Sequence, residues 1–496
     1  MKITATIGSE ICLHRLSVPY NMLQALQRKL SRANPNKKQK ERLGFSVYGE
    51  PDLVLMMVIE GTEIRLPRGA LGLLRETAKK FGVGIEFKSK VCTNTLGKRS
   101  LEGLPVTLRT YQKQAISQML QRVQGYVMLP CGGGKTVLGA GAVYSSGESA
   151  LVLVHTHELM EQWESAFRNL YGVRIKRAES PWKPLKAGEV AIGMVQKLHR
   201  SGSAPQSLYD SVGAVLCDEC HHVTAVTFRE IMEKIPARYR WGLTATPERA
   251  DGWTFLLPLL MGPELFSMTT RDLVQAGHLV DPIILPIQTE VIVGMSKTKT
   301  GRFNMPKAVS DLCENDKRNS FIRKLIVMGA KKGRRILVLV PRVKMAHSMA
   351  SDLAKLGVGA IAITGSVNKA TRERFMHSFK VGTTQVAIAT QLADEGLDVP
   401  ALDLLIVASA GRAAGRAVQR IGRAMRLHED KADPIVIDLV DGGLFVSQWR
   451  AREKAYFEQL GISVPAPLSK DEGLKTLSKL LNGESMKPKK QSFTIY

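Results

Sequence analysis

Short apolar runs rich in β-branched residues alternate with amphipathic stretches from Leu101 to about Pro465. Near-continuous apolar runs separated by helical patterns are typical of parallel sheets covered on both faces. One doubly wound sheet of this kind needs about 150–200 residues, so this region predicts two tandem sheets. The runs that we interpret as strands are Tyr126–Leu129, Ala150–Val154, Val190–Val195, Ala214–Cys217, Arg335–Val340, Ala360–Thr364, Gln385–Ala389, Leu404–Ala408 and Pro434–Leu439.

The first hundred residues have a different texture and predict a small α+β domain. Two β-rich runs flank Glu60-Gly61, which predicts a hairpin. The stretch from Arg28 to Arg42 contains Pro and Asn, and we interpret it as an exposed loop. The sequence therefore predicts an accessory nucleic-acid-binding domain over 1–100, a first sheet domain over 101–281, a second over 282–465, and a basic tail over 466–496.

The net charge of the chain indicates what kind of partner it binds. The 70 Lys+Arg residues exceed the 45 Asp+Glu residues by 25, and the pI is about 9.8. Residues 1–100 hold 18 basic and 8 acidic residues, which is +10 in a fifth of the chain. Such an excess favours a partner that presents phosphates.

We find no signal peptide and no run long enough for a spanning helix, and the 6 Cys are too sparse for a disulfide framework. These features predict a cytoplasmic protein that does not bind membranes.

A glycine-rich loop follows the first predicted strand and precedes a helical pattern. It reads Leu129-Pro130-Cys131-Gly132-Gly133-Gly134-Lys135-Thr136. Backbone N–H groups of such a loop close around phosphate oxygens, Lys135 would reach the β- and γ-phosphates, and the Thr136 hydroxyl would ligate Mg²⁺. Leu129 stands where the strict phosphate-loop pattern has its first glycine. A flexible turn followed by a chance Lys-Thr is the alternative.

Two acids end a later apolar run, Ala214–Cys217. Asp218 lies where a Mg²⁺ ligand is expected, and Glu219 can orient the water that attacks a phosphate. Cys217, Cys220 and His221 also match a haem-attachment spacing, but no export signal is present and both intervening residues are acids. A zinc site is disfavoured because no second Cys/His pair lies at the required spacing.

Asp218-Glu219-Cys220-His221 resembles the DEAD/DEAH box of superfamily 2 helicases, and further segments resemble that family's motifs in the same order. The Leu108–Gln112 segment is similar to the adenine-reading region, and Gly242–Pro247 is similar to the motif that links the nucleotide site to the nucleic acid. The other similar segments are Leu153–Thr156 with Gln162-Trp163, Gly193–Gln196, Ala389-Thr390 with Asp394–Pro400, and Gln419–Arg426.

This resemblance implies two RecA-like lobes and an ATP site with Mg²⁺. It implies catalytic roles for Lys135, Asp218, Glu219, Gln419, Arg423 and Arg426, with the two arginines supplying positive charge from the second lobe during hydrolysis. Thr136 and Asp218 would hold the metal. The implied nucleotide-binding residues are Arg109, Gln112, Cys131, Gly132, Gly133, Gly134, Lys135, Thr136, Gly396 and Asp398.

The same resemblance implies a nucleic-acid strand held mainly by its phosphates. The candidate contacts are Thr156, Gln196, Arg249, Thr364, Gly365 and Thr390. The motifs are closest to the XPB-like and restriction-helicase-like branch, although Ala250 departs from the Arg-Glu-Asp triplet of its eukaryotic members. Residues 66–87 also resemble the N-terminal domain of UvsW-type fork-remodelling helicases.

We therefore expect a monomeric ATP-dependent DNA helicase or translocase that unwinds or remodels forked, branched or duplex DNA in repair and recombination, including branch migration. Three alternatives stay open: the motor subunit of a restriction-type system, an RNA helicase, and a non-hydrolysing ATP-gated DNA clamp.

Overall fold

The structure, a computed structural model, describes most of the chain. The described residues are 1–42, 44–173, 175–179, 182–200, 204–224, 226–245, 252–294, 304–365, 367, 369–390, 401–408, 421–422, 424–425 and 432–484. They divide into two compact units, one comprising 1–130 and 134–268, the other comprising 131–133 and the chain from Thr269 onward.

The N-terminal part of the first unit is a mixed α+β domain. Its five-stranded sheet has the order β5-β6-β2-β1-β7, in which β1 and β7 are parallel and the other neighbours antiparallel. A separate two-stranded ribbon pairs β3 with β4. The elements are β1 (Lys2–Ile7), β2 (Glu10–His14), α1 (Tyr20–Lys29), β3 (Ser31–Ala33), α2 (Pro35–Arg42), β4 (Leu53–Leu55), β5 (Val58–Glu60), β6 (Glu63–Pro67), α3 (Leu71–Lys80) and β7 (Gly84–Ser89).

The structure corrects one prediction for this domain and agrees with another. The hairpin at Glu60-Gly61 is present, with Gly61 at a φ of 57°. The segment predicted as a loop between Arg28 and Arg42 instead contains the end of α1, the strand β3 and the helix α2. Helix α2 buries no side chain, so it lacks the apolar periodicity that would have identified it.

The rest of the first unit is a seven-stranded parallel sheet of order β10-β11-β9-β12-β13-β8-β14, which we call lobe 1. Its elements are α4 (Thr110–Arg122), β8 (Gln124–Met128), α5 (Lys135–Ser146), β9 (Ala150–Val154), α6 (His157–Tyr171), β10 (Ile175–Arg177), β11 (Val190–Met194), α7 (Val195–Arg200), α8 (Gln206–Tyr209), β12 (Ala214–Cys217), α9 (Val226–Lys234), β13 (Tyr239–Thr244), α10 (Leu256–Met261) and β14 (Glu264–Ser267).

The second unit contains a six-stranded parallel sheet of order β15-β20-β19-β16-β18-β17, which we call lobe 2. Its elements are α11 (Thr270–Gln275), β15 (Ile283–Gln288), α12 (Met305–Cys313), α13 (Asp316–Lys331), β16 (Ile336–Val340), α14 (Val343–Lys355), β17 (Ala360–Ile363), α15 (Lys369–Val381), β18 (Val386–Thr390), β19 (Leu404–Val407), β20 (Ile435–Val440), α16 (Val446–Ala455), a π-helix (Tyr456–Leu460) and α17 (Lys470–Leu481). The prediction of two tandem parallel-sheet domains is confirmed.

The N-terminal domain and lobe 1 share one hydrophobic core, which includes Ile11 and Leu66 from the former and Ile231 and Leu260 from the latter. Arg68 lies buried where they meet and donates to Gln124 Oε1 at 2.9 Å and to the carbonyl oxygen of Arg238 at 2.7 Å. Burial, with the nearby Arg240, lowers the pKa of Arg68 to about 9. A guanidinium satisfied by carbonyl and amide oxygens thus fixes the N-terminal domain on lobe 1.

Candidate active site

The glycine-rich loop lies between β8 and α5, and the backbone there explains its composition. Gly132 and Gly134 have φ angles of 83° and 74°, in the left-handed region that glycine tolerates best. A Cβ on Gly134 would lie 2.4 Å from Nε2 of Gln112. Leu129 is fully buried, and its N–H donates to the carbonyl oxygen of Thr244 at 3.0 Å. The position that departs from the strict pattern is therefore a core position at the end of β8.

Lys135, the first residue of α5, faces the acidic pair at the end of β12. Its Nζ lies 3.4 Å from Oε1 of Glu219 and also donates to the carbonyl oxygen of Leu129 at 3.4 Å. The two charged side chains are 11% and 17% exposed. Both residues belong to lobe 1, and their ion pair is largely shielded from water. The pair places the Lys135 ammonium beside the loop that would bind phosphates.

Asp218 is buried and accepts two hydrogen bonds, from Trp163 Nε1 to Oδ2 at 2.8 Å and from the N–H of Glu219 to Oδ1 at 2.9 Å. Burial, together with the neighbouring Glu219 carboxylate, raises the pKa of Asp218 to about 6. These two effects outweigh the hydrogen bond from Trp163 and the charge of Lys135, which lower it. The carboxylate is therefore poised to gain from a cation placed beside it.

Glu219 combines an unusual backbone with an opposite pKa shift. Its φ is 47°, which is uncommon for a residue with a side chain and is found often at functional sites. Burial raises the pKa of Glu219, but Lys135 and then His221 outweigh it and leave the pKa below its usual value. Oε2 of Glu219 is buried and makes no hydrogen bond to any residue the structure describes. An ionised carboxylate with one unsatisfied oxygen suits a group that orients a water molecule.

The residues around Thr136 and Asp218 fit a magnesium ion. The donors are one hydroxyl and one buried carboxylate, the hard oxygen ligands that Mg²⁺ takes in small number when substrate phosphates and water complete its shell. Gln162 Nε2 donates to the Thr136 hydroxyl at 3.2 Å, which orients it on α5. Within the described ranges no cluster of three or more His, Cys, Asp or Glu side chains could hold a metal ion alone.

Histidines extend from the acidic pair toward two other motif segments. His221 Nδ1 lies 3.0 Å from Thr244 Oγ1, at the end of β13, and 3.4 Å from Glu219 Oε2. The His222 ring contacts the His221 ring, with centroids 4.2 Å apart, and the His155 ring at 4.8 Å. The acidic pair, the end of β13 and the segment Leu153–Thr156, each of which resembles a helicase motif, thus meet within one lobe.

The segment Leu108–Gln112, which resembles an adenine-reading region, is held by hydrogen bonds within lobe 1. Arg109 precedes α4, its N–H donates to Gln112 Oε1 at 2.9 Å, and its Nη1 donates to the Tyr111 hydroxyl at 3.0 Å. Gln112 Nε2 contacts the carbonyl oxygen of Gly134 at 3.4 Å. Gln112 therefore connects the start of α4 to the last glycine of the loop, and each of its amide atoms already has a protein partner.

The predicted strand contacts occupy the carboxyl edges of the two sheets. Thr156 caps α6, since its hydroxyl accepts from the N–H of Leu159 at 3.2 Å, and Gln196 donates to the carbonyl oxygen of His155 at 3.2 Å. In lobe 2, Thr364 and Gly365 follow β17 and Thr390 ends β18, the parallel neighbour of β17. Both threonines are buried. Six predicted site residues lie outside the described residues, namely Arg249, Gly396, Asp398, Gln419, Arg423 and Arg426.

Sequence reasoning named Gln162 and Trp163 only as part of a motif and assigned no role to His155 or His222. The structure brings Gln162 to Thr136 and Trp163 to Asp218, and it places the His155 ring against the ring of His222, which also contacts His221. The signal available was that α6 begins directly after an apolar strand, so its first turns lie at the sheet edge that carries the other motifs.

The chain is similar to known helicases and translocases. Two family models match, "Type III restriction enzyme, res subunit" over residues 105–249 and "Helicase conserved C-terminal domain" over residues 317–428. The DNA 3'-5' translocase XPB2 of Sulfurisphaera tokodaii is 24% identical over 380 residues, which cover 68% of this chain and 82% of that protein. The XPB subunit of general transcription and DNA repair factor IIH from Schizosaccharomyces pombe is 26% identical over 353 residues, 64% of this chain but only 41% of that protein.

Solved structures share the fold. The structure of S. cerevisiae Dbp5 bound to RNA and ADP BeF3 has a TM-score of 0.55 at 15% identity and covers 76% of this chain and 93% of that chain. The crystal structure of T4 UvsW covers 95% of this chain and 99% of that chain, at 17% identity and a TM-score of 0.41. No helix among the described residues is long and apolar enough to cross a membrane.

Proposed function

The chain belongs to the superfamily 2 helicases, and on this premise we propose that it is an ATP-driven DNA translocase that remodels forked and branched DNA. ATP-dependent helicase activity is the property of the family. The choice of forks and branches, and a place in repair and recombination through branch migration, are our proposals. So are action as a monomer and residence in the cytoplasm.

The observation that carries the proposal is the continuous set of contacts from Lys135 through Glu219 and His221 to Thr244. It joins the residue that would contact the γ-phosphate to the segment that links ATP state to DNA, over individual distances of 3.0–3.4 Å. Loss of the γ-phosphate would remove negative charge beside Lys135 and so change the pairing of Glu219, and that change would reach Thr244 through His221. A protein that only bound ATP would have no use for this connection.

We assign the following roles in hydrolysis. The N–H groups of the glycine loop and Lys135 bind the phosphates, and Glu219 orients the attacking water and accepts its proton. Thr136 and Asp218 would hold Mg²⁺, which neutralises charge on the phosphates when bound. The second lobe's Arg423 and Arg426 would stabilise the charge of the transition state, with Gln419 beside them, as the family motif implies.

The positive net charge of the chain supports binding of DNA through its phosphate backbone. The chain carries a net charge of +25, of which +10 lies in the first hundred residues, while aromatic residues are only 6% of the total. This composition suits phosphate tracking better than a platform of stacked bases. The relatives named as DNA translocases support DNA over RNA. A restriction-type motor subunit and an RNA helicase are the alternative functions, since one family model carries a restriction-enzyme description and the Dbp5 structure contains RNA.

The decisive experiment measures ATP hydrolysis and strand separation on a fork, a Holliday junction, linear duplex and single-stranded RNA, at about 50 mM and about 200 mM salt. We expect the fork and the junction to stimulate hydrolysis most and to be separated, with affinity falling steeply as salt rises. Equal stimulation by linear duplex without strand separation would favour the restriction-type motor. Preference for RNA would favour the RNA helicase, and absence of phosphate release with every substrate would leave only the clamp.

A further inference from the structure

The two-stranded ribbon of the N-terminal domain, together with the helix between its strands, contributes little to the hydrophobic core of that domain. We call residues 31–42 and 44–55 the arm; it consists of β3, α2, the described part of the connection that follows, and β4. Helix α2 buries no side chain, and Leu53 and Leu55 of β4 are 50% and 54% exposed. A helix without an apolar face gains little stability from packing. Polar contacts must therefore stabilise α2, and its exposed side chains can contact a partner.

Polar contacts fix the arm's shape. Asn34, which is buried, accepts from the N–H of Asn36 at 3.0 Å and donates from Nδ2 to the carbonyl oxygen of Pro51 at 3.0 Å. Lys37 pairs with Asp52, and Lys40 pairs with Glu50. These contacts join one side of α2 to the returning chain before β4. The arm is therefore a defined surface and not a loose loop.

The other side of α2 carries two basic side chains, Lys38 and Arg42, and one acidic side chain, Glu41, so its net charge is positive. Lys38 and Arg42 are exposed, lie four residues apart and so share one face of the helix. Neither forms an ion pair with any residue in the described part of the chain. Two like charges at this spacing destabilise a helix slightly, so their placement serves a partner of negative charge rather than the fold.

An aromatic ring projects from the arm between α2 and β4. The side chain of Tyr48 is 99% exposed, more than any other large apolar or aromatic side chain whose burial the structure describes. A ring left wholly in water contributes nothing to a core, and its flat face suits a base pair. Phe45 of the same connection is 50% exposed. The arm thus offers cations and a ring together.

The base of the arm is joined to lobe 1 just after the linking motif. Trp253 Nε1 donates to Asn36 Oδ1 at 3.1 Å, and a Cβ on Gly252 would lie 3.2 Å from Pro35. Gly252 and Trp253 follow the motif segment Gly242–Pro247 within the same compact unit. The arm is therefore anchored to the part of lobe 1 that we expect to respond to ATP.

We propose that the arm is a junction-binding element, in which Tyr48 stacks on the terminal base pair of a DNA duplex while Lys38 and Arg42 contact phosphates of that duplex. This inference rests on the proposed function, because it assumes a fork or branch as substrate. Charge complementarity and the flat exposed ring favour DNA as the occupant over an apolar protein surface. A protein partner is the alternative that the experiment below would detect.

The first test measures fork binding and single-turnover unwinding for Tyr48→Ala and Tyr48→Phe in the full chain. Stacking of an aromatic ring on a base predicts that Tyr48→Ala weakens fork binding by roughly five- to 150-fold, while Tyr48→Phe stays near wild type. Tyr20→Ala is the matched control, since Tyr20 is 70% exposed on α1 of the same domain. Equal losses for Tyr48→Ala and Tyr20→Ala, or no loss for Tyr48→Ala, would overturn the proposal.

The second test separates local contact from net charge. The double variant Lys38→Ala/Arg42→Ala and the control Lys79→Ala/Lys80→Ala, on α3, remove the same charge from one domain. Two lost phosphate contacts predict that only the arm variant reduces the slope of log affinity against log salt, by about 1.8. The same slope for both variants would show that the arm makes no specific phosphate contact.

Failure of this inference is distinguishable from failure of the proposed function. Hydrolysis stimulated by single-stranded DNA should be unchanged in every arm variant, because none of these residues belongs to the nucleotide site. Wild-type stimulation by DNA together with unaltered fork binding by the arm variants would reject the arm alone and point to a protein partner for it. An absence of DNA stimulation in the wild type would reject the proposed function itself.

Discussion

The indole N–H of Trp163 donates a hydrogen bond of 2.8 Å to Oδ2 of the buried Asp218. The bond joins the second turn of α6 to the end of β12. It lowers the pKa of Asp218, although burial and the Glu219 carboxylate outweigh it and leave that pKa raised to about 6. In the proposed function Asp218 would hold Mg²⁺ in its ionised form, so the bond from Trp163 would help to set the pH range of ATP hydrolysis.

We expect Trp163→Phe to move the acid limb of the ATPase pH profile upward. Because the hydrogen bond favours the ionised form, its loss raises the pKa of Asp218 further and keeps the carboxyl protonated to higher pH. A hydrogen bond to a charged group is worth about 1.5–3 kcal/mol, which corresponds to a displacement of roughly one to two pH units. The measurement is kcat/KM for ATP between pH 5.5 and 8.5 at constant Mg²⁺.

Trp241→Phe is the control for that variant. Trp241 is also buried in lobe 1, and its Nε1 donates to the carbonyl oxygen of Met119 at 3.0 Å, away from the acidic pair. It should lower the stability of the lobe and leave the acid limb in place. Identical profiles for the two variants would refute a role for Trp163 in the ionisation of Asp218.

Glu219→Gln should bind ATP and DNA and release almost no phosphate. The amide cannot accept a proton from water, and loss of general-base catalysis typically lowers the rate by about 10²–10⁴. Rapid-quench measurement of a single turnover checks this, with equilibrium binding of a fluorescent ATP analogue in parallel. Glu230→Gln, at a half-exposed site on α9, should behave as wild type. Normal turnover by Glu219→Gln would disprove the assigned role.

His221→Ala should uncouple DNA from hydrolysis. It removes the contact between Nδ1 and the Thr244 hydroxyl and leaves the glycine loop intact. Coupling residues typically change the linked free energy by about 0.5–2 kcal/mol, so DNA stimulation should fall by roughly two- to thirtyfold while basal hydrolysis persists. Steady-state rates with and without saturating fork DNA provide the measurement, and His199→Ala, exposed on the same lobe, is the control. Unchanged stimulation would mean that the coupling follows another route.

Leu129→Gly restores the strict phosphate-loop pattern and should nonetheless harm the protein. The Leu129 side chain is completely buried, so its removal leaves a cavity, and truncations of this kind cost about 2–5 kcal/mol. The glycine also raises the conformational entropy of the unfolded chain, which lowers the free energy of unfolding further. Thermal unfolding should show a lower Tm, and the KM for ATP should not improve. A variant that is both stable and tighter for ATP would contradict the core role of this position.

Gly69→Ala should loosen the N-terminal domain from lobe 1. A Cβ there would lie 2.2 Å from the carbonyl oxygen of Pro258 and 2.4 Å from that of Leu259, both of which are backbone atoms of α10. Overpacking of this kind costs about 1–3 kcal/mol or more. Gly72→Ala, on α3 with open space around its Cβ, is the control and should leave Tm unchanged or raise it. Differential scanning calorimetry and limited proteolysis distinguish the two variants.

Pattern reasoning identified the strands whose apolar runs are uninterrupted, and it missed β13, a central strand of lobe 1. The reason is Arg240, a charged residue that follows directly on the first residue of that strand. Its buried guanidinium donates to the carbonyl oxygens of Ser9 at 3.0 Å, Met232 at 3.0 Å and Ile235 at 3.1 Å. A buried arginine that donates to carbonyl groups outside its own strand leaves no signal in the strand's sequence, because its partners are brought to it by the tertiary fold.

In the candidate site, too, some features were predictable from the sequence pattern and others depend on the tertiary fold. The glycine loop and the acidic pair follow strands, so their meeting at one sheet edge was predictable. The pairing of Trp163 with Asp218 and the contact of His222 with His155 depend on the path of α6 and on the turn after β12, which spacing alone does not determine. Helix α2 was missed because its stabilising partners, Asp52 and Glu50, lie beyond the helix in a segment without periodicity.

The common core of the N-terminal domain and lobe 1 has a mechanical consequence. A module that shares buried leucines and a sequestered guanidinium with its neighbour has no hinge of its own, so a rotation of lobe 1 carries the module through the same angle. A small angular change at the nucleotide site therefore becomes a larger linear displacement at the tip of the arm, in proportion to the radius at which Tyr48 stands.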